Sequence, residues 1–158
     1  MSHQEGVIRC LAAILRLDDE AVSAFCRYDP FDKLLRSYSQ CNIHGEKLYN
    51  QERAKQHCRM SVSAYESNLP TRDLHGEHRV PISILINRLL QSDRSHEAIA
   101  NILADCEMVL ITNEEKTRLD RPKKSGGCGL KSRMPEDGSC RLDAAGIELA
   151  PQTLENRF

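Results

Sequence analysis

Apolar residues recur at helical spacing over the first quarter of the chain. Val7, Ile8, Leu11, Ile14 and Leu15 fall on one face, which predicts an amphipathic helix. Asp18 stands where it can cap a second short helix carrying Val22 and Phe25. Asp29 and Pro30 pair a cap residue with a first-turn proline and open a third helix through Phe31, Leu34, Leu35 and Tyr38. Residues 39–48 read as loop, and Asn50 to Met60 as a polar surface helix. From 61 to 81 the helical period is lost. Pro70 and Pro81 bracket a stretch whose Leu74 and Val80 suit a short extended segment.

After Pro81 the helical period returns at Ile82, Leu85, Ile86 and Leu89, a face read as core rather than as a partner groove. Ser95 can cap a further helix with Ala98, Ile99, Ile102 and Leu103 on one side. Met108 to Ile111 reads as a buried strand. Thr112 and Glu115 then make the T-x-x-E pattern of a reciprocal capping box, opening a helix to about Asp120, just before Pro122. Residues 121–140 are rich in Gly, Pro and charge and suit either an ordered loop or a flexible arm. Ala144 to Leu149 suits one last strand, with a frayed tail beyond. The pattern as a whole predicts a small α+β protein, mainly helical and without internal repeats.

Composition narrows the function classes. The chain has 158 residues, of which 40% are hydrophobic and only 4% aromatic, with no Trp. The core must be aliphatic, and an aromatic platform for stacking single strands is not expected. Lys and Arg total 22 against 23 Asp and Glu, a formal net charge of −1. A polyanionic partner must therefore be met by a local patch. No apolar run approaches the ~20 residues of a membrane helix, and the N-terminus lacks a secretion pattern. Seven widely spaced cysteines without a CxxC fit a reduced, cytoplasmic protein better than a disulfide framework or a zinc knuckle. A zinc set of His57, Cys58, Cys128 and Cys140 has no spacing to recommend it. Gly126-Gly127-Cys128-Gly129 lacks the Lys-Ser/Thr ending of a phosphate-binding loop.

The densest candidate chemistry is His75-Gly76-Glu77-His78, followed by Arg79-Val80-Pro81. A histidine near its ordinary pKa of ~6.5 can accept a proton at neutral pH, and a neighbouring carboxylate offers a hard oxygen to Mg²⁺. On a regular strand, 75 and 77 share one face whereas 77 and 78 oppose each other.

Glu77-His78-Arg79-Val80-Pro81 resembles the Asp/Glu-His-x-x-Pro segment of HNH, or ββα-metal, nucleases. Met108–Thr112 is similar to that family's second strand, and Asn113–Asp120 to its metal-facing helix, so the resemblance spans about residues 73–120. It implies a ββα-metal-like centre at 71–120 with a helical insertion at 82–105. A helical part at 1–70 would precede it and a basic Gly/Pro-rich extension at 121–158 follow it, all in one compact domain. It further implies metal-dependent hydrolysis of a nucleic-acid backbone, DNA before RNA. His78 would be the general base, and Glu77 would hold a divalent ion, Mg²⁺ or Mn²⁺ before Zn²⁺.

The family's usual Asn or His on the last helix is missing, since the comparable positions read Lys116 and Thr117. His75 or Asn113, one turn early, would have to complete the ligand set. Beside this centre, Arg79, Arg118, Arg121, Lys123, Lys124, Lys131 and Arg133 are the candidate phosphate contacts. The rival expectation is a non-catalytic nucleic-acid-binding or inhibitor protein on a degenerate HNH-like scaffold. A homodimer is compatible with either reading, and no membrane partner is expected.

Overall fold

A computed structural model describes the backbone over residues 1–27 and 29–151, and side chains over 1–24 and 29–151. The Phe25 side chain and the tail from residue 152 lie outside the described residues. The fold is α+β and mainly helical, with one three-stranded sheet among the described residues. The chain divides into two compact units, one made of Met1–Lys47 with Ile82–Glu107, the other of Leu48–Pro81 with the chain from Met108 onward.

The first unit is helical: α1 (His3–Leu15), α2 (Asp19–Arg27), α3 (Pro30–Gln40), α6 (Ile82–Gln91) and α7 (His96–Ala104). These follow the apolar periodicity closely. α1 buries Val7, Ile8, Leu11, Ala12 and Leu15; α6 buries Ile82, Leu85 and Leu89; α7 buries Ile99 and Leu103. Asp18 caps α2 by accepting from the Ala21 N–H at 2.9 Å, and Ser95 caps α7 by accepting from Ala98. Asp29 behaves differently from expectation. Its φ of 75° turns the backbone left-handed, and its carboxylate makes no cap hydrogen bond. The entry to α3 rests instead on Pro30, which has no N–H to satisfy and whose φ already suits a helix.

The second unit is built on the sheet. β1 (Arg59–Met60) runs parallel to β3 (Met108–Ile111), and β2 (His75–His78) runs antiparallel to it, in the order β1-β3-β2. The register pairs His75 with Ile111, Glu77 with Val109 and His78 with Met108. β3 is buried along its whole length. On one face Val109 and Ile111 pack with Leu119, Leu130, Leu142, Ala145 and Ile147. On the other, Leu110 packs with Leu48, Ala54, Ala64 and Leu74. Each such Leu or Ile contributes about 1.5–3 kcal/mol through burial.

Three expectations fail here. The surface helix expected over 50–60 shrinks to α4 (Ala54–His57), because Arg59 and Met60 pair with β3 instead. The stretch after Ser61 holds a short helix, α5 (Val62–Glu66), capped by Ser61. The last strand does not form over 144–149. The short helix α9 (Arg141–Ala144) ends there, and the Gly146 and Ile147 N–H groups turn back onto the Asp143 and Leu142 carbonyls. What forms instead is an isolated antiparallel bridge of Leu149 to Ser61, in which the Val62 N–H donates to the Glu148 carbonyl and the Ala150 N–H to that of Met60.

Candidate functional site

The site belongs to the second unit. β2 leads through β3 into α8 (Asn113–Asp120), a strand-strand-helix order in which the two strands are antiparallel. The capping box of α8 is present: the Thr112 hydroxyl accepts from the Glu115 N–H at 3.1 Å, and the Glu115 carboxylate accepts from the Thr112 N–H at 2.8 Å. The same Glu115 oxygen also accepts from the Ser61 hydroxyl at 2.6 Å. Ser61 in turn caps α5 by accepting from Ala64. One buried carboxylate thus ties together the starts of two helices.

Strand alternation sends the His75 and Glu77 side chains to the sheet face of Val109 and Ile111, and sends His78 to the other face. Gly76 lies between. A Cβ there would stand 2.8 Å from Met108 Sδ and 3.0 Å from the Tyr49 ring, so the close approach of that ring demands glycine. His78 is buried, with 6% of its surface exposed.

Arg141 organises the face that carries Glu77. Only 1% exposed, its guanidinium pairs through Nη2 with Glu77 Oε1. The same Nη2 and Nε donate to the His78 carbonyl at 2.7 and 3.2 Å. Nη1 donates to the carbonyls of Leu130 at 2.7 Å and Lys131 at 3.2 Å. Burial lowers the Arg141 pKa to about 10, which leaves it charged at neutral pH. The other Glu77 oxygen, Oε2, lies 3.1 Å from His75 Nε2. Burial, then the positive charges of Lys116 and Arg141, hold the His75 pKa below its ordinary value against the opposing pull of Asp120. Neutral His75 donates through Nε2–H to Glu77. Lys116 itself pairs with Asp120 at 3.0 Å.

The implied divalent ion does not fit this arrangement. Glu77, its first expected ligand, is already matched by a buried guanidinium. Asn113 turns away and donates to the Asp73 carbonyl at 3.1 Å. Among the described residues no group of three or more His, Cys, Asp or Glu side chains is placed to hold a metal. His78, buried on the opposite face, does not share a site with Glu77 and His75.

The basic stretch is an ordered wrap around the end of α8. The N–H groups of Cys128 and Leu130 donate to the carbonyls of Arg118 and Leu119, both at 2.9 Å, and Gly129 donates to Arg121 at 2.8 Å. These satisfy carbonyls that a helix end leaves without intrahelical partners. Gly127 lies so near the Arg121 carbonyl that a Cβ would meet its oxygen at 2.2 Å. Arg118, Arg121, Lys123, Lys124, Lys131 and Arg133 are exposed. Arg79 is instead half-buried, with Nη2 4.0 Å from Cys140 Sγ.

Arg141 is the residue that local reading misjudges. In sequence it is one more cation of a charged loop, and no local pattern pairs it with a carboxylate 64 positions earlier. Fold and site define a small α+β protein with a cation-neutralised carboxylate beside a basic wrap. The chain matches no family model, no curated protein and no solved structure.

Proposed function

We propose that the protein binds the phosphodiester backbone of nucleic acid, duplex DNA first, without divalent-ion chemistry. The observation that carries the reading is the wrap at the end of α8, which presents Arg118, Arg121, Lys123, Lys124, Lys131 and Arg133 to solvent on hydrogen-bonded backbone. Among the described residues none of the six is paired with a carboxylate, and Arg118 donates only to the Gly146 carbonyl at 3.4 Å, so these cations can exchange counterions for phosphates. The strand-strand-helix order supports an HNH-like scaffold. The Arg141–Glu77 pair favours binding over the metal-dependent cleavage that the resemblance implies.

The test is fluorescence anisotropy with a short labelled duplex across a salt series. Six engaged cations would weaken binding by roughly 10³-fold between 50 and 200 mM salt. Lys123→Ala with Lys124→Ala should flatten the log–log salt slope by about 2. A duplex that does not bind at low salt, or a double variant indistinguishable from wild type, would overturn the reading. Plasmid nicking with Mg²⁺ or Mn²⁺ tests the cleaving alternative, and we expect none.

A further inference from the structure

Four oxygens from two separate parts of the chain converge on the Arg141 guanidinium: Glu77 Oε1 and the carbonyls of His78, Leu130 and Lys131. A carboxylate with three backbone carbonyls offers hard oxygen donors of the kind Ca²⁺ takes, about half of the roughly six to eight it needs, with water to complete the shell. We propose that Arg141 is the resident cation of this oxygen cage, a guanidinium doing permanently what a bound hard divalent ion would do, and that vacating it uncovers a Ca²⁺ site.

Several features carry the assignment. All three guanidinium nitrogens are spent on these oxygens, with Nε and Nη2 sharing the His78 carbonyl, so Arg141 is not itself a contact for an outside anion. The cage joins the end of β2 to the 130–131 turn, and Arg141 supplies the positive charge that faces Glu77 Oε1 and the three carbonyls there. Removing one partner of a buried pair leaves an uncompensated charge, and that charge is what attracts a replacement cation. Glu77 is also the one ionised oxygen donor in the cage, so ion binding in a vacated site must depend on it. The inference concerns the cage alone and stands whether or not the wrap binds nucleic acid.

The experiment is thermal unfolding of wild type, Arg141→Ala, Arg141→Lys and Arg141→Ala/Glu77→Gln, each titrated with CaCl₂ and, as a control for ionic strength, NaCl. Wild type and Arg141→Lys, whose cages hold a covalently tethered cation, should show no saturable response to Ca²⁺. Arg141→Ala should melt lower and recover roughly 2–5 °C as Ca²⁺ saturates. The double variant should lose that recovery. Saturable stabilisation of wild type by Ca²⁺ would overturn the proposal, because the cage would then not be filled. So would Arg141→Ala that folds yet ignores Ca²⁺, or that stays unfolded at every Ca²⁺ concentration. Because the readout is melting rather than nucleic-acid binding, its failure is distinct from failure of the binding reading.

Discussion

At Gly76 a single hydrogen atom decides whether Tyr49 can lie against β2. Gly76→Ala would force a Cβ into Met108 Sδ and the ring, and we expect a loss of about 1–3 kcal/mol in chemical denaturation. Little disturbance of stability would show that the ring moves aside freely. His75 permits a second expectation at this scale. Its folded pKa lies below the ordinary value, so at mildly acidic pH the unfolded chain binds a proton that the folded chain refuses. Stability from this group is therefore full above the unfolded pKa of ~6.5 and is lost as pH falls below it. His75→Gln should flatten the stability profile between about pH 7 and 5, and an unchanged profile would remove His75 from the account. The candidate residues were legible as a cluster, because three polar side chains in four residues stand out. Their division between two faces followed from strand alternation. The pairing of Glu77 with Arg141 was not legible, since it depends on α9 returning to β2 across the fold.

At the scale of elements, α5 and α8 begin on one carboxylate. Glu115→Ala removes an acceptor used by both Thr112 and Ser61, at a cost of about 2–4 kcal/mol. Ser61→Ala should cost about 1–2 kcal/mol, and the double variant should cost less than the sum, because the two share a hydrogen bond. Strict additivity in that cycle would mean the two caps are independent. Half of this device is written locally: T-x-x-E announces the start of α8. Ser61 lies 54 positions away and carries no such sign. The long periodic helices, α1, α6 and α7, were legible because each repeats its apolar spacing over two turns or more. β1 was not, because two residues cannot display an alternation. α5 falls below the same limit, with five residues and one buried alanine.

For the molecule as a whole, the stretch after residue 120 is core as much as appendage. Leu130, Leu142, Ala145 and Ile147 pack against β3 and α8, so the Gly/Pro-rich composition describes the turns between these residues and conceals the residues themselves. Leu142→Ala should cost about 2–5 kcal/mol, measured by urea unfolding, and a chain ended at residue 133 should lose the dispersed amide spectrum of the second unit. A truncated chain that keeps that spectrum would make the segment dispensable. The near-zero net charge and the basic wrap are compatible, because phosphate contact depends on where cations cluster and not on their total.

The strand order has a further consequence for how the protein is made. β3 is the central strand and the last of the three in the chain, so a nascent polypeptide emerging from the ribosome carries β1 and β2 with no partner for either. Synthesis must reach Met108 before the first ladder bond of this sheet can close, and must reach Ile147 before its apolar cover is complete. The helices of the other unit meet the same delay, since α6 and α7 follow β2 in the chain. Assembly of both units is thus a late event in translation. Pausing or premature release within residues 78–108 would leave β1 and β2 exposed, which marks that interval as the window of greatest demand for chaperones.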